Sequence, residues 1–545
     1  MESEDGRRYV EVRVPPRFLS DYAVTAAKNL KKRKEIDMDI NRRHFIFAGA
    51  AAATLAGRAT NKMGLRPLKP GEKRAVALIG AGMQGRFLLT EFLKQRNVRV
   101  VCVCDCDKTR REDGAVRVDA FYKDGSRCAA EADFCKVLEN PLIDAVCIAT
   151  PDHWHAYISV EAMKHGKDVY CEKPLTFTID EAKKVIAAQK KYGRVFQTGS
   201  MQRSWRVFRT AVSLVRGGAI GDVRYVDANY GRSGQKLGGP SHPVRFFNVP
   251  ENAAKESEGF GQLGEWGWNR WLGPAQWRPY SNQLAPVGVH KFFPMFWRFD
   301  DDIATGYNGD WGAHHLDIAQ WGLDMDDSGP YRIIRSDEPY SLDRYHGGRR
   351  QFGMRMLFKS KRGGRDVELY HGPFGVWGTV FYGTNGIVAV NRGKIAVWQG
   401  FDATAEKPTE EIRGALQDVS YRKDRIVAES VGEDYGTDAA VKADEVLDSV
   451  LKQLETRFAA EIKRAGLYYS ENQIRNFCEC VESRKPTISP ASVGGRSGAL
   501  CILCNMSYRY DTGFDWDPVR MEIKGGNPKG LSLKRADCRG WEIVV

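Results

Sequence analysis

The sequence predicts an α/β protein in two parts: an N-terminal unit built on a parallel sheet, and a C-terminal α/β domain built on a largely antiparallel sheet with helices on one face. Three observations carry that prediction. Residues 75–105 read as strand, glycine turn, helix and strand. Two more short apolar runs, Asp144–Thr150 and Lys167–Cys171, are separated by a helical stretch, as strands of a parallel sheet must be. After residue 199 the pattern changes to alternating segments such as Val223–Tyr230 and Gly375–Tyr382, the period of strands with one face buried.

Within the first unit, Ala75–Ile79 is short and apolar enough for a buried strand and stops at Gly80-Ala81-Gly82-Met83-Gln84-Gly85. Arg86–Arg96 then place Phe87, Leu88, Phe92 and Leu93 near one face of a helix, and Val98–Cys104 form a second apolar strand ending in Asp105. A strand entering G-x-G-x-x-G at a helix start is the pattern that holds a dinucleotide. Gly80 permits the tight turn, Gly82 lets the backbone N–H groups of the loop, through Met83 and Gln84, approach a pyrophosphate, and Gly85 lets helix and strand pack closely. The helix N-terminus adds its positive dipole end. Asp105, twenty residues after Gly85, can accept both hydroxyls of an adenosine ribose and repels a 2′-phosphate. NAD is therefore favoured over NADP, although Lys108 and Arg110 lie close enough to offset part of that charge.

With 545 residues, 42% hydrophobic and 28% charged, the chain suffices for two or three domains with their own cores. The net charge of +13 comes from 82 basic and 69 acidic side chains that are interspersed. No RNP, zinc-finger or helix-turn-helix pattern accompanies it, so nucleic acid is not an expected partner. The densest basic run, Lys31–Lys34, falls in a leader spanning residues 1–70. There Asn41-Arg42-Arg43-His44-Phe45 precedes an alanine-rich apolar stretch ending at Ala56, which resembles a twin-arginine export signal with small residues at 53–59 for cleavage. A periplasmic or otherwise exported protein is the expectation. The apolar core is too short to span a bilayer of ~30 Å as a helix, so no transmembrane span is expected. Met38 lies three residues ahead of Asn41 and is an alternative start to Met1. Of twelve cysteines, Cys102, Cys104, Cys106 and Cys147 fall on or beside the apolar strands and read as small buried groups. Cys501-Ile502-Leu503-Cys504 is one C-x-x-C without a second pair, so no metal site is expected.

Farther along, Arg111–Cys135 reads as irregular and polar. Asp144–Thr150 ends in Pro151-Asp152-His153-Trp154-His155, a helix follows at Ala156–His165, and Lys167–Cys171 ends in Glu172-Lys173-Pro174. A helix at Ile179–Tyr192 and a strand at Val195–Gln197 complete a unit of residues 71–198. With Thr150-Pro151 and Glu172-Lys173-Pro174 at the strand ends behind the glycine loop, residues 75–198 resemble the Gfo/Idh/MocA family of dehydrogenases, whose Rossmann domain carries an E-K-P signature at the mouth of the cofactor site. The resemblance implies a cis Lys173–Pro174 peptide with the lysine turned toward nicotinamide, and it puts Thr150, Pro151, His155 and Glu172 beside the cofactor. It also implies that the second domain's sheet is open and serves substrate and subunit contacts, hence a homo-oligomer formed through it.

That second domain spans residues 199–520, with 521–545 as a tail. Gly199–Ser204 begin the crossover into it, and Phe208–Arg216 form a helix capped by Gly217-Gly218. A highly charged stretch, 401–465, shows helical pattern at Glu406–Arg413 and Ala440–Arg464 and reads as a solvated insertion or interface arm. Eight of the thirteen tryptophans lie between residues 201 and 330; indole faces suit the C–H faces of sugars, but such residues more commonly fill cores. Asp310 and His314 stand at i, i+4, so at a helix start both project toward one side. In the family a D-x-x-x-H pair faces the E-K-P lysine across the substrate pocket, and these two residues match it; Asp317 orients a neighbour or belongs to the other face. Helices at Asn476–Val481 and Ser492–Tyr510, and Trp516-Asp517-Pro518, are similar to the family's closing elements.

These residues suit NAD-dependent oxidation of a hydroxyl. His314 takes the hydroxyl proton, Lys173 stabilises the developing alkoxide, and Asp310 holds a neighbouring hydroxyl or the lysine. His155 and Trp154 border the nicotinamide ribose, and Trp154, Arg203 and His315 are placed at the substrate. The preference for vicinal hydroxyls that the family pocket implies points to a sugar, polyol or glycoside. Two other functions fit the same residues. One is NAD-dependent glycoside hydrolysis by transient oxidation and elimination with no net redox; the other is a non-catalytic NAD-binding scaffold, against which the presence of both Lys173 and His314 speaks.

Overall fold

The computed structural model describes residues 66–545 apart from 230–259, 261–262, 283, 291–295, 301, 336–353, 362–363, 373–376, 417–419 and 432–437. Residues 1–65 of the leader, with the twin arginines, lie outside the described residues, as does part of the expected strand 375–382.

The first sheet assembles around largely apolar central strands, because helices cover both of its faces. In chain order its elements are β1 (Arg74–Ile79), α1 (Met83–Leu93), β2 (Val98–Cys104), α2 (Lys108–Tyr122), β3 (Ala129–Glu131), α3 (Phe134–Glu139), β4 (Ala145–Ile148), α4 (Asp152–Lys164), β5 (Asp168–Cys171), α5 (Ile179–Tyr192) and β6 (Phe196–Thr198). The strands run parallel in the order β3-β2-β1-β4-β5-β6. The order reverses between β1 and β4, and the crevice at their carboxyl ends is where such sheets bind ligands.

Two expectations are corrected here. Phe87 points outward, 49% exposed, and Leu89 takes its place in the core. Residues 111–135 are not irregular: they contain most of α2, then β3 and the start of α3. Helix α2 is capped by the Asp107 side chain, which accepts from the Arg110 N–H, but it buries only Gly114, Ala115 and Val118. An apolar stripe that narrow leaves almost no 3.6-residue period to read.

The second domain adds α6 (Arg206–Gly217), β7 (Val223–Asn229), α7 (Gly264–Leu272), α8 (Gly306–Asp310), α9 (Gly312–Gly322), β8 (Arg332–Ile334), β9 (Met354–Phe358), β10 (Val367–Gly372), β11 (Thr379–Gly383), β12 (Gly386–Asn391), β13 (Lys394–Gln399), α10 (Glu410–Ala415), β14 (Ile426–Val431), α11 (Asp438–Arg457), α12 (Ala459–Ala465), α13 (Gln473–Ser483), α14 (Ala491–Arg509), β15 (Phe514–Asp517) and β16 (Glu522–Lys524). Its ten strands lie in the order β14-β13-β12-β11-β7-β10-β9-β8-β15-β16, and only β7 and β10 pair in parallel. Helices α6, α9 and α14 bury one face through residues such as Phe208, Leu316 and Leu503 against Val226, Met356 and Phe381.

The charged stretch 401–465 has a structural part in this layer. Phe401, Ile412, Leu416 and Tyr421 cover Trp377, Tyr382, Ile387 and Trp398 on the other face of β11–β13. β14 then extends the sheet edge, and α12 packs on α6 so closely that a Cβ on Gly217 would stand 2.2 Å from the Glu461 carbonyl oxygen.

The boundary at residue 198 is crossed twice more by the chain. α13 returns to the first domain, where Phe477 and Cys478 pack with Val76, Leu88 and Phe92. The tail also returns: Trp541 lies against Phe134, Trp154 and Tyr157. All twelve cysteines are free. Among the described residues no helix is long and apolar enough to cross a membrane.

Candidate active site

At the carboxyl ends of β1, β4 and β5 lies a cavity of about 450 Å³, walled by residues of both domains. The glycine loop is tight toward the protein and open toward the cavity. Gly80 has φ +92°, and a Cβ there would sit 2.6 Å from the Ala149 carbonyl oxygen; a Cβ on Gly85 would sit 1.9 Å from the Gly80 oxygen. At Gly82 a Cβ would meet only the Arg110 side chain, at 3.9 Å. Helix α1 starts there without a side-chain cap, so its first-turn N–H groups have no side-chain acceptor. Asp105 accepts from Ala81 N at 2.8 Å and Asp107 N at 2.9 Å. Burial pushes its carboxyl up, against the pull of Arg110 and those two N–H groups. An uncapped helix start, space at the second glycine and a carboxylate beyond it fit the diphosphate and ribose of NAD, which Gly80, Gly82, Met83, Gln84 and Asp105 would hold.

The loops after β4 and β5 are fastened to one another and to the glycine helix. Gln84 Nε2 donates to Glu172 Oε1 at 3.0 Å, and the His155 ring reaches Pro174 O at 2.7 Å and Thr150 O at 2.9 Å. Burial pushes that imidazole down while the two carbonyls pull it back up. The Lys173–Pro174 peptide is cis. Lys173 Nζ donates to Asp310 Oδ1 at 2.6 Å and to Asp310 O at 2.9 Å, joining the first domain to the end of α8. Thr150, Pro151, His155, Glu172 and Lys173 all line the cavity with the glycine loop, and Asp310 and His314 line it from the second domain.

Charge around Asp310 is unevenly shared. Arg298 Nε lies 3.6 Å from its Oδ2. Burial pushes the Asp310 carboxyl up, but Lys173, Arg298 and Arg392 outweigh it and hold the group below its usual range. His314 is driven well below 6.5 by burial, with Lys173 and Arg392 acting in the same direction, so its imidazole is neutral near pH 7. Asp152, at the start of α4, accepts weakly from the Thr305 N–H and hydroxyl at 3.4 Å, and burial pushes it up to about 7.

Of the three residues expected at the substrate, Trp154 lines the cavity, while Arg203 and His315 do not. Arg203 is 1% exposed and lies away from the cavity, held by Asp317 at 2.7 and 2.8 Å and by Asp326 at 2.7 and 2.8 Å. Asp317, which also accepts from Ser497, is thus the orienting neighbour. His315 turns toward the sheet: its ring stacks on Trp311 at 9° and lies against Gly378, where a Cβ would come within 2.3 Å of it. Trp154 backs the cavity wall from inside the core, donating to Trp271 O at 3.1 Å and meeting Phe134, Tyr157 and Trp541 edge-on.

The sequence reading missed Asp152, Arg298 and Arg392 as cavity residues, together with the segment from Leu284 to His290. Asp152 sits inside Pro151–His155, a stretch noted for other residues, and Arg298 lies within residues 201–330, noted for their tryptophans. Arg392 had no signal, because it comes from the turn between β12 and β13.

Fold and cavity define the class: a two-domain α/β protein with an NAD-binding Rossmann unit. Residues 74–200 match the Gfo/Idh/MocA oxidoreductase family's NAD-binding Rossmann fold and residues 262–350 its C-terminal alpha/beta domain. It is 34% identical over 154 residues to an inositol 2-dehydrogenase of Rubrobacter xylanophilus, covering 28% of this chain and 42% of that one. It is 29% identical over 199 residues to a glycosyl hydrolase family 109 protein of Stenotrophomonas maltophilia, covering 35% and 42%. Such matches span about two fifths of the curated relatives' length. A solved levoglucosan dehydrogenase, in complex with NADH and levoglucosan, aligns with a TM-score of 0.48 at 16% identity over 82% of this chain and 99% of that one.

Proposed function

We propose that the protein oxidises a hydroxyl of a sugar, polyol or glycoside by hydride transfer to NAD. The observation that carries this reading is the 2.6 Å contact between Lys173 and Asp310, which puts an ammonium from the first domain beside His314 of the second in the cavity that the glycine loop faces. NAD, when bound, supplies the hydride acceptor. Lys173 is oriented by Asp310 through two of its N–H groups and keeps the third for a substrate oxygen, where it stabilises the charge that develops as the hydroxyl is deprotonated. His314, neutral at pH 7, takes that proton. The two cations that keep the imidazole unprotonated, Lys173 and Arg392, also favour an alkoxide, so the field offsets the weakness of the base. Asp310, with Arg298 behind it, also suits a neighbouring hydroxyl, and the inositol 2-dehydrogenase relative supports a polyhydroxylated substrate.

The test is a panel of polyols, aldoses and glycosides given to NAD-loaded protein, with reduced nicotinamide followed by absorbance. At least one class should yield NADH, and Lys173→Met should slow it by about a hundredfold or more; a silent panel with NAD bound refutes the proposal. A second reading, glycoside hydrolysis by transient oxidation and elimination, is favoured by Asp152, a buried acid near neutrality in the same cavity that can carry a second proton, and by the family 109 relative. Aglycone release without net NADH would distinguish it. Export belongs to the same proposal, on the strength of Arg42-Arg43 and the apolar run behind them; cell fractionation of a variant with both arginines changed to lysine tests it.

A further inference from the structure

Asp107 and Arg110, at the start of α2, reach across to the second domain. The Gly288 N–H donates to Asp107 Oδ2 at 2.5 Å. Arg110 returns the contact, donating from Nε to Gly288 O at 2.9 Å and from a terminal nitrogen to Pro286 O. The segment is braced behind by the Tyr280 hydroxyl, which donates to Ala285 O at 2.9 Å, and by Leu284 and Ala285 packed with Trp268 and Trp271. Residues 284–286 and 288–290 belong to the same cavity wall set as Asp105 and the glycine loop.

We propose that residues 284–290 form a clasp that Asp107 and Arg110 close over the adenosine end of the cofactor site, selecting NAD over NADP and slowing its release. The inference rests on the cavity being the NAD site and is independent of which substrate is oxidised. Selection follows from what Arg110 is doing. A 2′-phosphate would meet the Asp105 carboxylate, and the guanidinium that acts on Asp105 has turned its Nε and one terminal nitrogen to the clasp. Its other terminal nitrogen faces the glycine loop, 3.9 Å from where a Cβ on Gly82 would stand. One side chain thus touches both the clasp and the space in front of the loop. Retention follows from the bonds themselves: each of the three has a charged partner, the kind that is short and strong, and all three must part before the segment swings away.

The experiment uses the full chain, wild type and with Arg110→Ala, Arg110→Lys or Asp107→Asn. It measures NAD(H) retained per protein after desalting, the release rate of NADH in a stopped-flow chase, and the dissociation constants of NADH and NADPH. Wild type should bind NADH far more tightly than NADPH and release it slowly. Arg110→Ala should release it about tenfold faster or more, as loss of one or two charge-assisted bonds implies. Arg110→Lys, which keeps the charge but not the fork, should fall between, and thermal melting checks that each variant is folded. Release rates within twofold of wild type in both folded Arg110 variants, or equal wild-type affinity for NADH and NADPH, overturn the clasp. Because no sugar is present, a failed substrate panel leaves this result standing.

Discussion

Replacing Lys173 with methionine removes the ammonium 2.6 Å from Asp310 and keeps an unbranched side chain. The loss of one preorganised donor at a developing oxyanion costs about 10²–10³ in kcat. A smaller effect runs the other way. Lys173 is among the groups that push His314 below 6.5, so its removal lets the imidazole become a stronger base. The expected fall is therefore about a hundredfold or somewhat more, with NAD affinity little changed, since the glycine loop and Asp105 are untouched. Stability should suffer less than turnover. Asp310 keeps Arg298 at 3.6 Å and is 20% exposed, so the cost should stay below the roughly 3–5 kcal/mol of a buried pair broken outright. Its pH dependence has a definite sign. A carboxyl held below its unfolded value stabilises the fold above pH ~4, and that contribution disappears as pH falls through the folded value. The variant should lose part of this acid-side margin. Single-turnover hydride transfer, NAD titration and melting between pH 3 and 7 read the three effects separately. A kcat within threefold of wild type, with NAD bound, would refute the role given to the ammonium.

Other substitutions separate binding from folding. Gly82→Ala places a methyl in open space, so the protein should melt as wild type while NAD binding weakens by about tenfold or more. Gly85→Ala puts the same methyl 1.9 Å from a carbonyl oxygen and should cost about 1–3 kcal/mol of stability first. Similar melting and similar NAD titration for both variants would contradict this account of the loop. Arg203→Met strands Asp317, which is 1% exposed, and should destabilise by roughly 3–5 kcal/mol; unchanged melting with a raised KM would instead return Arg203 to the substrate. Burial, aided by Arg535, pushes His153 down to about 3. The unfolded chain therefore binds its proton below pH ~6.5 while the folded chain does not, and wild type pays up to about 1.4 kcal/mol per pH unit there. The stability difference between His153→Gln and wild type should shift toward the variant as pH drops from 6.5 to 4, and a flat difference would contradict the buried neutral ring.

What the sequence made legible were features whose physics is local. Gly80, Gly82, Gly85 and Asp105 follow a strand at fixed spacing, and strands such as Ala145–Ile148 are apolar throughout because helices cover both faces. Asp310 and His314 were legible as a pair, although a break at Trp311 separates α8 from α9, because the turn between them stays helical in φ and ψ. What escaped was long-range. Helix α2 hides among charged residues because glycine and alanine, not large apolar groups, face the sheet. The role of residues 401–421 depends on where β11–β13 run. Arg203 looked like a substrate ligand only while Asp317 and Asp326, more than a hundred positions away, were not known to meet it.

The same distinction bears on the chemistry. A histidine buried among cations is a poor base when considered alone, and Asp310 is a poor hydroxyl ligand if Lys173 already fills it. Both objections weaken once the groups are treated as one charge system. Asp310 is drawn on by Lys173 and Arg298, with Arg392 nearby, so it neutralises none of them completely and positive potential remains at the end of the cavity where His314 stands. In the proposed reaction that potential lowers the substrate hydroxyl's pKa by the same electrostatic effect that lowers the imidazole's. The proton passes between two groups depressed together, and their difference, which sets the driving force, is largely preserved. A substitution that relieves His314, such as Arg392→Gln, would raise its basicity yet slow the reaction, because the alkoxide loses the same support. Faster turnover in Arg392→Gln at pH 7 would mean that basicity, not the field, limits the step.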